Sequence, residues 1–323
     1  MIIFSDLHLH ERTSEIVFNE VLPGLKNAVL QQADKLLVCL GDFYHLRYKV
    51  DVEIQNKVFD YFHDLNDCGI EVILLVGNHD QINEKGDNAL KPFSELNNVE
   101  VIEQPCIYKN FIWLPYRKNK QILLDYLSKI PSGIVFMHQG VQGFEISNNV
   151  LDNDGMSTNE LSRYFIIISG HYHKRQNIRN IFYVGSPYQI DASEANQEKG
   201  YMVFTKNIQE HFVPIYETMN WGTKHYIFEV VPQGTCINGV EKGDIVKLKA
   251  PQGVDLEKFR KSIVVPEGVR CIVESSNDSS LNNRLNVCSN DSMDYVKSYI
   301  DNFAGEIDKE LLLQVFNQLV NEL

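Results

Sequence analysis

The first two hundred residues alternate short apolar runs with longer amphipathic stretches. Strands are expected at residues 2–4, 35–40, 71–76, 99–103, 111–114, 133–137, 164–169 and 181–184, each rich in β-branched or aromatic side chains. Between them, residues 14–33 carry Ile16, Val17, Val21, Leu25, Ala28 and Val29 at helical spacing, and residues 52–65 carry Ile54, Val58, Phe59, Phe62 and Leu65. The alternation predicts an α/β domain, and the apolar strands predict a sheet covered on both faces.

From about residue 199 the texture changes. GYMVF and HFVPI read as a hairpin closing a first domain over residues 1–220. HYIFEVV, DIVKLKA, the short helix DLEKFRKS and GVRCIVESS follow, predicting a small α+β module over residues 221–275. A polar, Asn- and Ser-rich linker is expected at 276–292. Residues 293–323 read as two short amphipathic helices, one presenting Tyr295, Val296, Tyr299, Ile300 and Phe303, the other Leu312, Val315, Phe316, Leu319 and Leu323. Two readings of that tail stand side by side: it folds back on the small module, or it docks in a groove of another protein.

Composition narrows the field only in part. A net charge of −13 over 323 residues argues against gripping nucleic acid by bulk electrostatics. It leaves open a local site in which bound cations neutralise carboxylates and attract phosphate. The six cysteines are scattered without a CxxC pair, which suits a reducing compartment. The N-terminal MIIFSDLHLHE has no basic leader, and no segment approaches a membrane span. A cytoplasmic protein without membrane contact is expected.

The chemistry is concentrated where strands end. The first runs into Asp6-Leu7-His8 and the second into Gly41-Asp42-Phe43-Tyr44-His45. The third runs into Gly77-Asn78-His79-Asp80, and later strands into His138 and into Gly170-His171-Tyr172-His173. In α/β sheets the carboxyl ends of strands open onto the ligand crevice. Residues i and i+2 of an extended chain point the same way, so Asp6 with His8, and His171 with His173, each offer two ligands to one cavity. Singly these motifs are ordinary: a lone His after a strand is commonly hydrogen-bonded structure, and Gly-Asp is a common turn. Five strand ends carrying Asp, His and Asn in one chain point to a metal site.

The order DxH…GDxxH…GNHD…H…GHxH resembles the calcineurin-like metallophosphoesterase superfamily. Within it, the His closing GDFYH and the small domain after the catalytic one resemble the SbcD-type double-strand-break repair nucleases; YVGSPYQ at 183–189 is similar to the segment following their last ligand. The resemblance implies a four-layer core, two β-sheets flanked by helices, with a small α+β capping domain and C-terminal helices. It implies two ions bridged by Asp42, with Asp6, His8 and His173 at one and Asn78, His138 and His171 at the other. The mixed oxygen and nitrogen donors suit Mn²⁺, with Mg²⁺ second, and exclude an all-thiolate zinc site. A pair of ions suits in-line displacement at phosphorus, hence phosphodiester hydrolysis.

By the same resemblance His79 protonates the leaving oxygen or stabilises its charge, and His45 stabilises the transition state near the phosphate. Asp80 either orients the His79 ring or caps a helix, and His10 reads as a surface or supporting residue. The implied activity is that of a DNA exonuclease and endonuclease acting in repair and recombination. The implied partners are DNA, an ABC-type ATPase with a long coiled coil (the SbcC type) bound through the tail helices, and a second copy meeting residues 53–65 and 89–96. A compact chain of this kind fits a phage or bacterial version.

Lys174, Arg175 and Arg179, and Arg117 with Lys118 and Lys120, are candidates for DNA phosphate contacts; as short basic runs they are equally candidates for solvated loops. A small-molecule or protein phosphoesterase of the same superfamily would carry GDxxDRG where this chain has GDFYHLR. A scaffold that had lost catalysis would lack ligands, and no expected position is missing.

Overall fold

The computed structural model describes residues 1–83, 87–147, 150–207 and 209–275. The expected linker at 276–292 and tail helices at 293–323 lie outside the described residues. In chain order the strands are β1 (Ile2–Phe4), β2 (Leu36–Cys39), β3 (Glu71–Leu75), β4 (Val99–Ile102), β5 (Cys106–Tyr108), β6 (Phe111–Leu114) and β7 (Ile134–His138). A small hairpin, β8 (Glu145–Ser147) and β9 (Val150–Leu151), precedes β10 (Ile166–Gly170), β11 (Gln176–Ile178), β12 (Ile181–Tyr183), β13 (Lys199–Lys206) and β14 (Phe212–Met219).

All of these strands but β8 and β9 form two six-stranded sheets, ordered β14-β13-β1-β2-β3-β4 and β11-β12-β10-β7-β6-β5. The inner runs β1-β2-β3-β4 and β12-β10-β7-β6 are parallel. Period-two alternation sorts each strand's side chains onto two faces. Ile3, Val38, Ile73 and Leu75 of the first sheet meet Trp113, Phe136 and Ile168 of the second in one cluster between the sheets. Ile2, Phe4, Leu37, Cys39, Val72 and Leu74 point the other way, onto Leu25, Val58 and Phe62 of helices. On the far side, Ile112, Leu114, Val135, Met137 and Ile167 pack on Leu123 and Leu127. Helix, sheet, sheet, helix: the four layers expected from the sequence are present.

The helices are α1 (Ser14–Ile16), α2 (Leu22–Leu30), α3 (Val52–Asp67) and α4 (Lys120–Ser128), besides shorter turns. The expected helix over 14–33 is interrupted by a π-helical turn, Val17–Val21. Pro23 lies in the first turn of α2 and has no N–H to return to the preceding turn, so a widened turn fits there. Helix α3 begins at Asp51, whose carboxylate accepts from the Glu53 and Ile54 amides at 2.9 and 3.1 Å. It buries Ile54, Val58, Phe62 and Leu65 along one face. Helix α4 is a departure: its cations read as a basic cluster, yet Leu123 and Leu127, one turn apart, are buried.

The chain divides into two units. Among the described residues the second comprises 228–238, 248–265 and 272–275. It holds a helix, Leu256–Ser262, capped by Asp255 and burying Phe259; Val231, Ile237, Leu248, Ala250 and Ile263 are also buried. Trp221, expected to open the small module, belongs to the first unit. A Cβ at Gly24 would strike its indole, and Tyr201 stacks on it at 6.0 Å.

Trp113 is the largest fully buried side chain between the sheets, stacked on Phe136 at 4.6 Å, with its indole N–H donating to the Tyr108 carbonyl at 3.0 Å. Trp113→Ala is expected to cost about 3–5 kcal/mol, measured as a loss of urea-unfolding free energy. A change under about 1 kcal/mol would contradict the packing between the sheets.

Candidate metal centre

Five loops leave the carboxyl ends of parallel strands: β1, β2 and β3 in the first sheet, β7 and β10 in the second. The first two are laced together beyond their strands. The Asp6 amide donates to the Gly41 carbonyl at 3.0 Å, His8 to Asp42 at 3.0 Å and Leu9 to Phe43 at 2.9 Å. The His171 amide donates to both oxygens of the Asp6 carboxylate at 3.2 and 3.1 Å, and the His79 amide to Asp42 Oδ1 at 2.7 Å.

This lacing holds a strained backbone. Asp6, His8, Asp42 and His171 have φ of 53°, 47°, 52° and 94°. A side chain other than Gly in that region costs about 1–3 kcal/mol and persists only where surrounding contacts over-determine it. Here four expected metal-ligand residues carry that cost together. Close approach of the loops explains Gly170: a Cβ there would collide with Ser5 Oγ and the Leu40 carbonyl, and would stand 2.9 Å from His138 Nδ1.

All seven expected ligands converge. Asp6, His8 and His173 bring donor atoms within 4.8 Å of one another, and so do Asp42, His138 and His171. Asn78 Oδ1 lies 3.0 Å from His138 Nε2 and 2.9 Å from His171 Nδ1. Asp42 stands between the groups, its Oδ2 at 3.7 Å from His8 Nε2 and 3.4 Å from His138 Nε2. A third trio, His8, His45 and His79, has the same closeness.

The donor set fits cations by its own chemistry. His173 Nδ1 donates to Glu194 Oε1 at 2.7 Å, and His8 Nδ1 is engaged with His45 Nδ1 at 3.2 Å. The Nε2 atoms of His8 and His173 face each other at 3.0 Å, and the Nδ1–H given to Glu194 leaves His173 Nε2 as a lone-pair donor in the neutral ring. His138 is fixed likewise: Nδ1–H donates to the Leu40 carbonyl at 2.6 Å and leaves Nε2 aimed at the oxygens of Asn78 and Asp42. A lone pair of His138 aimed at side-chain oxygens in a buried pocket calls for a proton or a cation between them. Without an ion, a proton does the work. Burial pushes the His138 imidazole down, but Asp42 and then Asp6 bring it up to about 9. Burial and the neighbouring His138 charge drive His171 down to about 3, and burial holds His8 well below the ordinary imidazole range. Burial raises the Asp42 carboxyl, yet His138 by charge and hydrogen bond pulls it below the usual range.

The surrounding residues were not all legible. Glu194, which fixes the His173 ring, is itself buried against Lys199 Nζ at 2.7 Å; Lys199 also donates to the His173 carbonyl and Ser186 Oγ, each at 2.8 Å. Nothing in DASEANQEKG marks either residue as part of the site, beyond their following the last ligands. Asp80 corrects an expectation. It does not orient His79: its oxygens accept from the Tyr44 amide at 3.0 Å and the Gly77 amide at 2.9 Å, tying two ligand loops together. Burial and then Asp42 raise its carboxyl to about 7. His79 is instead held through Nδ1–H, which donates to the His45 carbonyl at 2.7 Å, and its ring stacks on His45 at 17°.

The expected phosphate-binding cations behave differently. Arg117 is buried, its guanidinium donating to the carbonyls of Tyr116 and Glu103 and to Gln104 Oε1 at 2.7, 2.6 and 2.8 Å, so it presents no face to a phosphate. Lys174 is paired with Glu145. Arg175 lies over the Tyr216 ring at 5.3 Å and donates to Thr218 Oγ1 and the Glu217 carbonyl. Lys120 donates to the Asp154 and Gly155 carbonyls. Arg179 and Lys118 are exposed.

Comparison with known proteins agrees with this geometry. The profile of the calcineurin-like phosphoesterases matches residues 1–191, and the chain belongs to that family of metal-dependent phosphoesterases. It is 24% identical over 306 residues to exonuclease subunit 1 of Enterobacteria phage T4, covering 87% of this chain and 86% of that protein. It is 25% identical to the DNA double-strand break repair protein Mre11 of Nanoarchaeum equitans, over 66% of this chain and 68% of the relative. A component of nuclease SbcCD from Staphylococcus epidermidis is 26% identical over 60% of this chain, which spans 63% of that relative's length. Among the described residues no helix is long and apolar enough to cross a membrane.

Glu194→Gln removes the carboxylate that fixes the His173 ring, and is expected to weaken Mn²⁺ binding about 10- to 100-fold. Calorimetric titration measures this; an unchanged affinity would detach Glu194 from the site.

Proposed function

We propose that this chain is the nuclease subunit of an SbcCD-like complex, hydrolysing DNA phosphodiester bonds as an exonuclease and endonuclease in repair and recombination. The observation that carries the reading is the convergence of seven Asp, Asn and His side chains with His45 and His79 alongside. The names of the phage, archaeal and staphylococcal relatives support a DNA substrate. In this reading Asp6, His8 and His173 would hold one Mn²⁺, Asn78, His138 and His171 would hold a second, and Asp42 would be shared between them. Bound there, the pair supplies positive charge that polarises the phosphodiester and an attacking water.

The chain's own residues do the rest. His138 and His173 are kept in the tautomer that leaves Nε2 as a lone-pair donor, by the Leu40 carbonyl and the Glu194 carboxylate. With Nδ1–H anchored on the His45 carbonyl, His79 turns Nε2 to the cavity; as the imidazolium it carries a second proton there, gives it to the leaving oxygen and is left as the neutral Nδ1–H ring. His45 offers its imidazole beside the phosphate. Mixed oxygen and nitrogen donors favour Mn²⁺ over Mg²⁺.

The partners in this reading are a coiled-coil ABC ATPase of the SbcC type, engaged by residues 293–323 beyond the linker at 276–292, and a second copy of the chain. Helix α3 supports the second copy: Val52 and Phe59 remain 73% and 39% exposed on it. A cytoplasmic location follows from the same reading. A small-molecule phosphoesterase is the alternative, and His45, where such enzymes carry Asp, weighs against it.

End-labelled duplex DNA incubated with Mn²⁺ or Mg²⁺, with the ATPase added or withheld, tests the proposal. The wild type is expected to shorten the label with Mn²⁺. His79→Ala is expected to lose cleavage by about 10²- to 10⁴-fold while still titrating with metal. Undiminished cleavage by that variant would remove His79 from the chemistry. Intact DNA alongside hydrolysis of bis(p-nitrophenyl) phosphate would favour the small-molecule reading.

A further inference from the structure

Beside the metal centre, on the His45 side, lies a cleft of about 390 Å³ that the chemistry described above does not use. That volume falls within the range of about 300–1,000 Å³ in which proteins seat small organic groups. Its floor is apolar: Leu9 and Ile54 are buried, and Val50 is half-buried. Its wall is aromatic, made by His10 and His45, whose ring centroids are 4.7 Å apart. Its rim carries two cations, Arg12 and Lys49, and two carboxylates, Glu11 and Asp51. Arg12 is exposed, and Lys49, 73% exposed, lies 3.7 Å from the Glu11 carboxylate. The acidic Asp51 at the same edge is engaged as the cap of α3. The cleft is continuous with the centre, because His45 Nδ1 stands 3.2 Å from His8 Nδ1.

An apolar floor, a π-faced wall and two cations at the mouth match a nucleotide, with its base inside and its phosphates outside. A base in a double helix is stacked and paired, so it reaches such a cleft only when unpaired. We propose that this cleft seats the unpaired base of the nucleotide adjoining the scissile phosphate. This rests on the nuclease reading. His10 thereby becomes a substrate-positioning residue. Its Nδ1 accepts from the Arg12 amide at 3.1 Å, which leaves Nε2–H as the free donor of the neutral ring.

The test uses the whole protein with single-stranded oligonucleotides, each carrying one abasic residue at a different position. Cleavage of the bond next to the abasic residue is expected to slow about 5- to 100-fold, with no effect two or more nucleotides away. Val50→Trp, which fills the cleft, should cut intact and abasic strands at equal rates. A binding arm needs no turnover: with chelator present, 2-aminopurine at the sensitive position should be quenched by the wild type and not by Val50→Trp. DNA cleavage indifferent to abasic residues everywhere would overturn the cleft and leave the nuclease reading standing. If DNA is not cut but bis(p-nitrophenyl) phosphate is, the nuclease reading fails. Thymidine 5′-(p-nitrophenyl phosphate) then decides: a preference over the base-free ester assigns the cleft to mononucleotides, and equal kcat/KM overturns it. Absence of quenching in the wild type overturns it in every case.

Discussion

Imidazole nitrogens and side-chain oxygens crowded into one buried pocket are the constraint on which this structure depends. His8 and His173 meet nitrogen to nitrogen at 3.0 Å, and His138 aims its Nε2 at the oxygens of Asn78 and Asp42. Such an arrangement is unfavourable in a buried pocket unless positive charge enters it. The fold accepts it because the two sheets bring five loops to one edge and because amide donors lace those loops together. The left-handed backbone at Asp6, His8, Asp42 and His171 belongs to the same compromise. Strain and repulsion accumulate where function needs them, while the aromatic core between the sheets supplies stability elsewhere.

The second layer of the site shows how the rings are aimed. Leu40 contributes a carbonyl and Glu194 a carboxylate, each fixing one imidazole tautomer. Asp80 binds the β2 and β3 loops through two backbone amides, so the GNHD run serves two purposes: Asn78 and His79 face the cavity, and Asp80 braces the walls. The cations nearest in sequence to the last ligands turn inward. Lys174 and Arg175 hold neighbouring loops in place, while Arg179, Lys118 and the rim cations Arg12 and Lys49 remain exposed.

Much of this was legible in the chain, for physical reasons. Strands β1, β2, β3, β6, β7 and β10 are almost wholly apolar because both of their faces are buried; β6 stops at Pro115, and the others end where a Gly or polar residue breaks the run. That contrast exposed the ligands. What stayed hidden depends on contacts between distant segments. Glu194 reaches His173 from a 3₁₀ turn, Ala192–Glu194, of unremarkable composition. Arg117 looked like a surface cation because its acceptors, Tyr116, Glu103 and Gln104, show no signal of burial in the sequence. Helix α4 was obscured by its lysines, and the π turn before α2 by a periodicity that continues through it.

The most direct measurement is anomalous diffraction at the manganese edge from crystals grown with Mn²⁺. The account predicts two peaks flanking the Asp42 carboxylate, one against His8 and His173, the other against Asn78, His138 and His171. A single peak among His8, His45 and His79, with Asp42 touching no ion, would contradict it.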